Sequence, residues 1–133
     1  MRYPTEPDLS FLYGAILTDN TLPDSPQPTR HFCVFGAGQI DRSATGSGVT
    51  ARMAVDAARG LIAPGADRGF AGAAGVPFHA ELMAEERLGP HRAWRVRVDG
   101  TASFHGTASW IVEAGDRLGD GFAIEDLTPL PPR

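Results

Sequence analysis

The sequence predicts an α+β domain, rich in strand and carrying one principal helix. Three observations lead there. Arg30 to Phe35 is a short apolar run of strand length. Val49, Met53, Ala57 and Leu61 recur at helical spacing and define one buried face. Arg92 to Val98 alternates charged and apolar residues, as a half-buried strand does.

Taken in order, residues 1–8 read as a loop or stub. Leu9 to Leu17 is rich in large apolar residues and predicts a first strand. Thr18 to Thr29 holds Pro23, Pro26 and Pro28 with Asp19, Asn20 and Asp24, the chemistry of an exposed loop. Arg30 to Phe35 is the second strand. A run of small residues follows and opens the helix, Val49 to Arg59, which Gly60 closes as the residue past its C-cap. Residues 63–75 hold four glycines, five alanines and one proline and predict a flexible connection. Pro77 to Met83, Arg92 to Val98 and Ala108 to Val112 are further strands. Residues 1–126 form one domain, and Leu127 to Arg133, with three prolines, is an extended tail. No internal repeat is visible.

Composition narrows the chemistry. The chain has 133 residues, 42% hydrophobic and 21% charged, which is ordinary for one globular domain. A net charge of −4 gives no sign of affinity for nucleic acid or membrane. All twelve basic residues are arginines. The lack of lysine excludes, within this chain, a Schiff base, a pyridoxal-phosphate anchor and a P-loop. The single cysteine, Cys33, excludes an internal disulfide and a cysteine-built zinc site. Set in an apolar run, Cys33 reads as a small buried hydrophobe. His31, His79, His91 and His105 lack metal-ligand spacing and read as surface or packed histidines. Glu85 and Glu86 read as a solvated face. No metal or cofactor is expected. No apolar run approaches the ~20 residues of a membrane span, and no signal-peptide core follows Met1, so the expected compartment is the cytoplasm.

The informative stretch is Asp41-Arg42-Ser43-Ala44-Thr45-Gly46-Ser47-Gly48, between the second strand and the helix. A small-residue turn that opens a helix presents unpaired N–H groups at the positive end of the helix dipole, a place for a carboxylate or phosphate. Asp41 sets an anion beside it. A pocket that accepts an anion and offers a carboxylate suits a zwitterion such as an amino acid. The plainer readings are that Thr45 is only the helix N-cap, that Gly46 and Ser47 form a plain turn, that Asp41 pairs with Arg42 or Arg52, and that Phe35 is core.

The wording from Phe35 to Arg52, F-G-A-G-Q-I-D-R-S-A-T-G-S-G-V-T-A-R, resembles the second-half signature of the proline racemase family, roughly F-A-D-G-Q-[IV]-D-R-S-P-[CT]-G-[ST]-G-x-x-A-R. Phe11 to Leu17, Gly100 to Gly106 and Asp116 to Phe122 resemble its flanking stretches. Ala44 departs from the family's Pro, Gly36-Ala37 from its Ala-Asp, and Arg117 from the Pro of D-P-L. The resemblance implies one half of a two-domain, diaminopimelate-epimerase-like fold, with a curved sheet around one helix and the active site in the cleft between the halves. It implies that Gly46 and Ser47 give N–H groups to a substrate carboxylate, that Asp41 accepts from the ring ammonium, and that Phe35 packs on the ring. Racemases of the family carry Cys where this chain has Thr45, and a threonine hydroxyl does not ionise near neutral pH. Thr45 therefore resembles the trans-3-hydroxyproline dehydratase branch, in which one Cys of the first half removes the α-proton and the ring hydroxyl leaves as water. Thr45 is the expected catalytic residue here. The expected partners are an imino-acid substrate and either the absent first half or a second copy. The chain alone is expected to be inactive. The alternatives are a racemase or epimerase fragment, or a non-catalytic binding remnant.

Overall fold

The computed structural model describes residues 6–12, 14–19, 21–36, 38–116 and 119. The chain divides into two units, Met1–Ala102 and Ser103–Arg133. The first holds β1 (Gly14–Thr18), β2 (Thr29–Phe35), α1 (Gly46–Ala58), β3 (Asp67–Ala71), β4 (Pro77–Leu88) and β5 (His91–Asp99), with a short 3-10 turn at Pro7–Leu9 ahead of them. The strands form one mixed sheet in the order β1-β2-β3-β4-β5. Only β2 and β3 run parallel, joined through α1; the other neighbours are antiparallel. The α+β class and the single principal helix are as the sequence predicts. Among the described residues no helix is long and apolar enough to cross a membrane.

Helix α1 packs across β4 and β5. Its buried positions are Val49, Met53, Asp56 and Ala57. With Ala44, Phe70, Ala80 and Leu82 the apolar ones make the core, and Phe78, Trp94, Val96 and Val98 close over it. Leu61, expected on this face, is instead 54% exposed. The cause is Gly60, which takes φ 72° just past the C-cap Arg59. Gly60 N–H donates to the Ala57 carbonyl and Leu61 N–H to that of Asp56, a Schellman closure that turns the chain off the helical path.

Four segments differ from expectation. Strand β1 starts at Gly14 rather than Leu9, because Pro7 opens a 3-10 turn closed by Ser10 N–H on the Pro7 carbonyl. The supposed flexible connection contains β3. Its alternation is carried by Arg68 and Phe70, both buried, and an inward arginine reads as a break in any apolar pattern. Strand β4 runs on to Leu88, past a register shift between Leu82 and Ala84, and turns into β5 through Gly89 at φ 57°. Ala108 to Val112 forms no strand. The described part of the second unit has no strand partner within it, and Phe104, Trp110 and Ile111 stand almost wholly exposed. An extended run without a ladder is not a sheet element. Tyr13, Ala37, Arg117, Leu118 and residues 120–133, the tail included, lie outside the described residues.

The outer half of the β4–β5 hairpin is a charge ladder. Glu85 accepts two hydrogen bonds from Arg92 at 2.7 and 2.8 Å, Arg95 pairs with Glu86, and Arg97 pairs with Glu81 and Asp99. The Arg92 hydrogen bond holds the Glu85 carboxyl below its ordinary value. Glu85 and Glu86 are thus the solvated face the sequence suggests.

A buried charge cluster fixes the helix to the sheet. Asp56, fully buried, accepts from Arg52 Nε at 2.9 Å and from Arg68 Nη1. The other Arg68 nitrogen donates to Thr29 Oγ1 at 2.7 Å, and its guanidinium lies 5.1 Å from the Phe70 ring centroid. Removing the carboxylate would leave Arg68 charged, buried and unpaired. Asp56→Ala is therefore expected to cost about 3–5 kcal/mol, a large part of a small domain's stability. Urea denaturation followed by circular dichroism checks this. A loss below about 1 kcal/mol would show that the cluster relaxes into solvent.

Candidate active site

The site grows from the end of β2. Phe35 N–H donates to the Gln39 carbonyl and Gly38 N–H to that of Phe35, so the chain reverses tightly over residues 35–39. It then returns beside β2: Ile40 bridges to Val34, and Asp41 N–H donates to the Cys33 carbonyl at 3.1 Å. This reversal sets Asp41 next to the strand and aims residues 43–46 toward the start of α1.

Asp41 organises that passage. Its Oδ1 accepts from Ser43 N–H at 2.8 Å and from the Ser43 hydroxyl at 2.9 Å. Its Oδ2 accepts from the Thr45 hydroxyl at 2.8 Å. Thr45 N–H in turn donates to Ser43 Oγ at 3.1 Å. Asp41 therefore spends its carboxylate on the loop rather than on a salt bridge, and Arg52 belongs to Asp56. Burial alone would raise the Asp41 carboxyl. The Ser43 N–H, the Thr45 and Ser43 hydroxyls and the nearby Arg42 charge outweigh it and hold the group below its ordinary value.

Thr45 stands at the helix N-cap but does not act as one. Its hydroxyl makes no capping bond to the helix, and its carbonyl accepts the first helical bond, from Val49 N–H at 2.8 Å. It is also the described non-glycine residue with positive φ, at φ 63° and ψ 101°. For a β-branched residue this is a genuine outlier and costs about 1–3 kcal/mol. Four contacts hold it there: the two hydrogen bonds to Asp41 and Ser43, the helical bond, and a bond behind it in which the Ala44 carbonyl lies 3.1 Å from His31 Nδ1. Gly72 presses from below; a Cβ there would fall 2.0 Å from the Ser43 carbonyl oxygen. His31 is buried, and burial, with the Arg52 and Arg68 charges, pushes its ring below the usual imidazole value against the pull of the Ala44 carbonyl.

A cavity of about 410 Å³ opens at this point. Phe35, Thr45 and Ser47 line it, and Phe11, Ile16 and Cys33 supply apolar wall. Three of the expected site residues are thus brought together. Asp41 lies behind Thr45 and reaches the cavity through that hydroxyl. Gly46 is not part of the lining. Its backbone is helical, and a Cβ on it would meet nothing within 4 Å. A left-handed turn at the cradle would belong to Thr45, not to Gly46. The N–H groups of Gly46, Ser47 and Gly48 precede the first intrahelical bond and face the dipole's positive end. A Cβ on Gly48 would come 1.9 Å from Ile16 Cδ1, the free end of a side chain that lines the same cavity. Cys33, read as a buried hydrophobe, is buried, yet it also forms wall. Strand β2 buries Thr29, His31 and Cys33 with a period of two, a face that hydrophobicity does not mark because Phe32 and Val34 stand on the other side. No group of three or more His, Cys, Asp or Glu among the described residues is arranged to hold a metal.

Two titrations follow from this geometry. Asp41 and His31 both have depressed folded-state values. Each lends stability that is present above its unfolded value and lost as pH falls, His31 from about 6.5 downward and Asp41 from about 3.8 downward. Carboxyl-carbon NMR should place the Asp41 midpoint below 3.8, and Thr45→Val, which removes one donor, should move it upward. A midpoint unmoved by that change would mean the Thr45 hydroxyl does not serve Asp41 in solution.

Comparison with known proteins places this geometry. The family model described as Proline racemase matches residues 1–123. The chain is 44% identical over 126 residues to the trans-L-3-hydroxyproline dehydratase of Bos taurus and 43% identical to the trans-3-hydroxy-L-proline dehydratase of Homo sapiens. These matches cover 94% of this chain and 36% of each relative, so the chain spans about a third of their length. A 3-hydroxyproline 2-epimerase of Burkholderia multivorans is 34% identical over 128 residues, 92% of this chain and 38% of that one. Among solved structures, a hydroxyproline epimerase from Agrobacterium vitis with bound trans-4-hydroxy-L-proline superposes with a TM-score of 0.76 at 25% identity, covering 95% of this chain and 35% of that one. With the family model matching residues 1–123 of its 133, this chain belongs to the proline racemase family.

Proposed function

We propose that this chain forms one wall of the active site of a trans-3-hydroxy-L-proline dehydratase and acts together with a complementary lobe that supplies the base. The observation that carries the reading is Thr45. It stands at the cavity, at the head of α1, with its hydroxyl proton committed to Asp41. A thiol at a helix N-terminus ionises and can take a proton from a second face of the substrate. A threonine hydroxyl cannot, so two-base racemisation lacks its second base here. The names of the bovine and human relatives, at 44% and 43% identity, point the same way, while the epimerase relative is more distant at 34%.

In this reading the substrate carboxylate lies against the N–H groups that begin α1, and the ring packs on Phe35. The ring ammonium lies on the Asp41 side of the cavity, beside the Thr45 hydroxyl through which that carboxylate reaches it. A base from the complementary lobe removes the α-proton. The C3–O bond then breaks, and the hydroxyl leaves as water, taking its second proton from the base that removed the α-proton on the same face, giving a pyrroline-2-carboxylate. Thr45 stands on the opposite face with its proton directed to Asp41; with no base there, the carbanion is not reprotonated from that side and loss of the hydroxyl is the course left to it. No cofactor takes part. The exposed Phe11 and Leu12 at the cavity wall are where a second lobe would close the cleft.

The test is to produce this chain with the complementary segment of a full-length relative, supply trans-3-hydroxy-L-proline, and follow pyrroline-2-carboxylate. Dehydration without racemisation of proline is the expected result. Racemisation of proline without dehydration would overturn the assignment. Inactivity of a well-folded pair toward both would favour a non-catalytic remnant. In an active pair, Thr45→Cys is expected to lower dehydration and to introduce α-deuterium exchange into both enantiomers of proline. Absence of exchange from the second face would mean that residue 45 does not face the substrate.

A further inference from the structure

We infer that His31 is the positioning residue of this site: it holds the Ala44 carbonyl from behind and so fixes the strained conformation that turns Thr45 toward the cavity. The inference rests on the reading of Thr45 as the residue that meets substrate, and it adds the part of the fold that puts it there.

His31 lies on β2, two residues before Cys33, and is only 3% exposed. Its Nδ1 is 3.1 Å from the carbonyl oxygen of Ala44, thirteen residues away and itself fully buried. A carbonyl can only accept, so this contact requires the tautomer with hydrogen on Nδ1. The ring is held in turn by Phe70, whose centroid is 5.0 Å away, and Phe70 carries the Arg68 guanidinium on its other contact. The peptide that His31 grips is the one that leads into Thr45. Its carbonyl direction sets the backbone rotation at residue 45, because a peptide is planar and moves as one unit. Asp41 and Ser43 restrain Thr45 from within the loop, which is tied to β2 one step away, through Asp41 N–H on the Cys33 carbonyl. His31 is anchored in the sheet and gives the loop an external reference. Gly72, the residue just past the end of β3, backs the same loop at Ser43.

The test reads NMR on the chain itself and binding on the chain paired with the complementary segment of a full-length relative, with pyrrole-2-carboxylate as probe, a ligand planar at its α-carbon like a deprotonated substrate. Nitrogen-15 NMR of the wild type should find the His31 ring neutral with hydrogen on Nδ1. Thr45 should show the strong intraresidue amide-to-α-proton NOE of a positive φ. His31→Leu keeps the bulk and removes the donor. It should abolish that NOE and weaken the probe roughly tenfold, the scale of one buried acceptor left unpaired. His31→Asn places an amide donor where Nδ1 was and should restore both. Hydrogen on Nε2 in the wild type would overturn the inference without any variant. So would a Thr45 NOE that survives His31→Leu, or an asparagine variant as impaired as the leucine one. Should His31→Leu not fold, the wild-type tautomer and the asparagine variant decide. If the wild-type chain paired with the complementary segment of a full-length relative does not bind the probe, the substrate reading of Thr45 fails, while the NOE in the chain still judges His31.

Discussion

The buried carboxylate of Asp56 is the constraint on which the rest of this fold depends. It sits on the last full turn of α1, where the helix dipole disfavours a negative charge. Arg52 from the same helix and Arg68 from β3 outweigh that penalty. Arg68 also reaches Thr29 at the start of β2. One cluster thus joins the helix to the two parallel strands on either side of it in the chain. Because α1 is rigid, fixing its C-terminal half also fixes its first turn, where the site lies. The arginine continues the chain of support through Phe70 to His31 and on to Ala44. The site is therefore held from both ends, by the helix in front and by the sheet behind.

Much of this was legible in the sequence, and the limits have physical causes. Strand β2 was clear as an apolar run of strand length, helix α1 because apolar residues mark its period, and Gly60 marked the helix end. Strand β5 was clear by alternation. Strand β3 was hidden because its inward positions are Arg68 and Phe70 among glycines and alanines, and an arginine is an inward residue only once Asp56 is in place across the core. Leu61 was misplaced because a helical period was carried past the glycine that ends it. Ala108 to Val112 has strand composition, but a strand needs a neighbour, and composition does not supply one. In the site, Phe35, Thr45 and Ser47 line the cavity as the motif suggested. Gly46 does not. What the sequence could not show is that the strain in this turn falls on Thr45 rather than on a glycine, since that depends on contacts from His31 and Gly72 that lie far off in the chain.

The pairing of Asp41 with Thr45 explains why a hydroxyl suits this loop. Two hydrogen-bonded oxygens share one proton comfortably at 2.8 Å. A thiolate in the same place would face the Asp41 carboxylate. At about 4 Å, and with an effective dielectric of about 20, that repulsion is about 4 kcal/mol. The helix N-terminus returns at most about 2 kcal/mol in favour of the thiolate. The dipole alone would not sustain an ionised nucleophile beside this aspartate. A cation between them would, and in the proposed reading the ring ammonium of the substrate is that cation. A racemase built on this loop would then have a second base that becomes competent only when substrate is bound.

For a hydroxyl the same arithmetic runs the other way. Thr45 carries no charge to repel, so the loop is satisfied when empty: Asp41 is paired, Ser43 is paired, and the Thr45 proton has an acceptor. An arriving ammonium donates to the remaining lone pairs of the Asp41 carboxylate, while the Thr45 proton keeps Oδ2 as its acceptor. Binding in the proposed mode thus adds a hydrogen bond and leaves the loop's own in place, which keeps its cost low. The strain at residue 45 is present before the ligand arrives, held by His31 and the loop, so reorganisation on binding is small. That is the physical content of preorganisation here: the sheet and helix carry the cost of an unfavourable backbone, and the hydroxyl is already fixed against Asp41 before a ligand arrives.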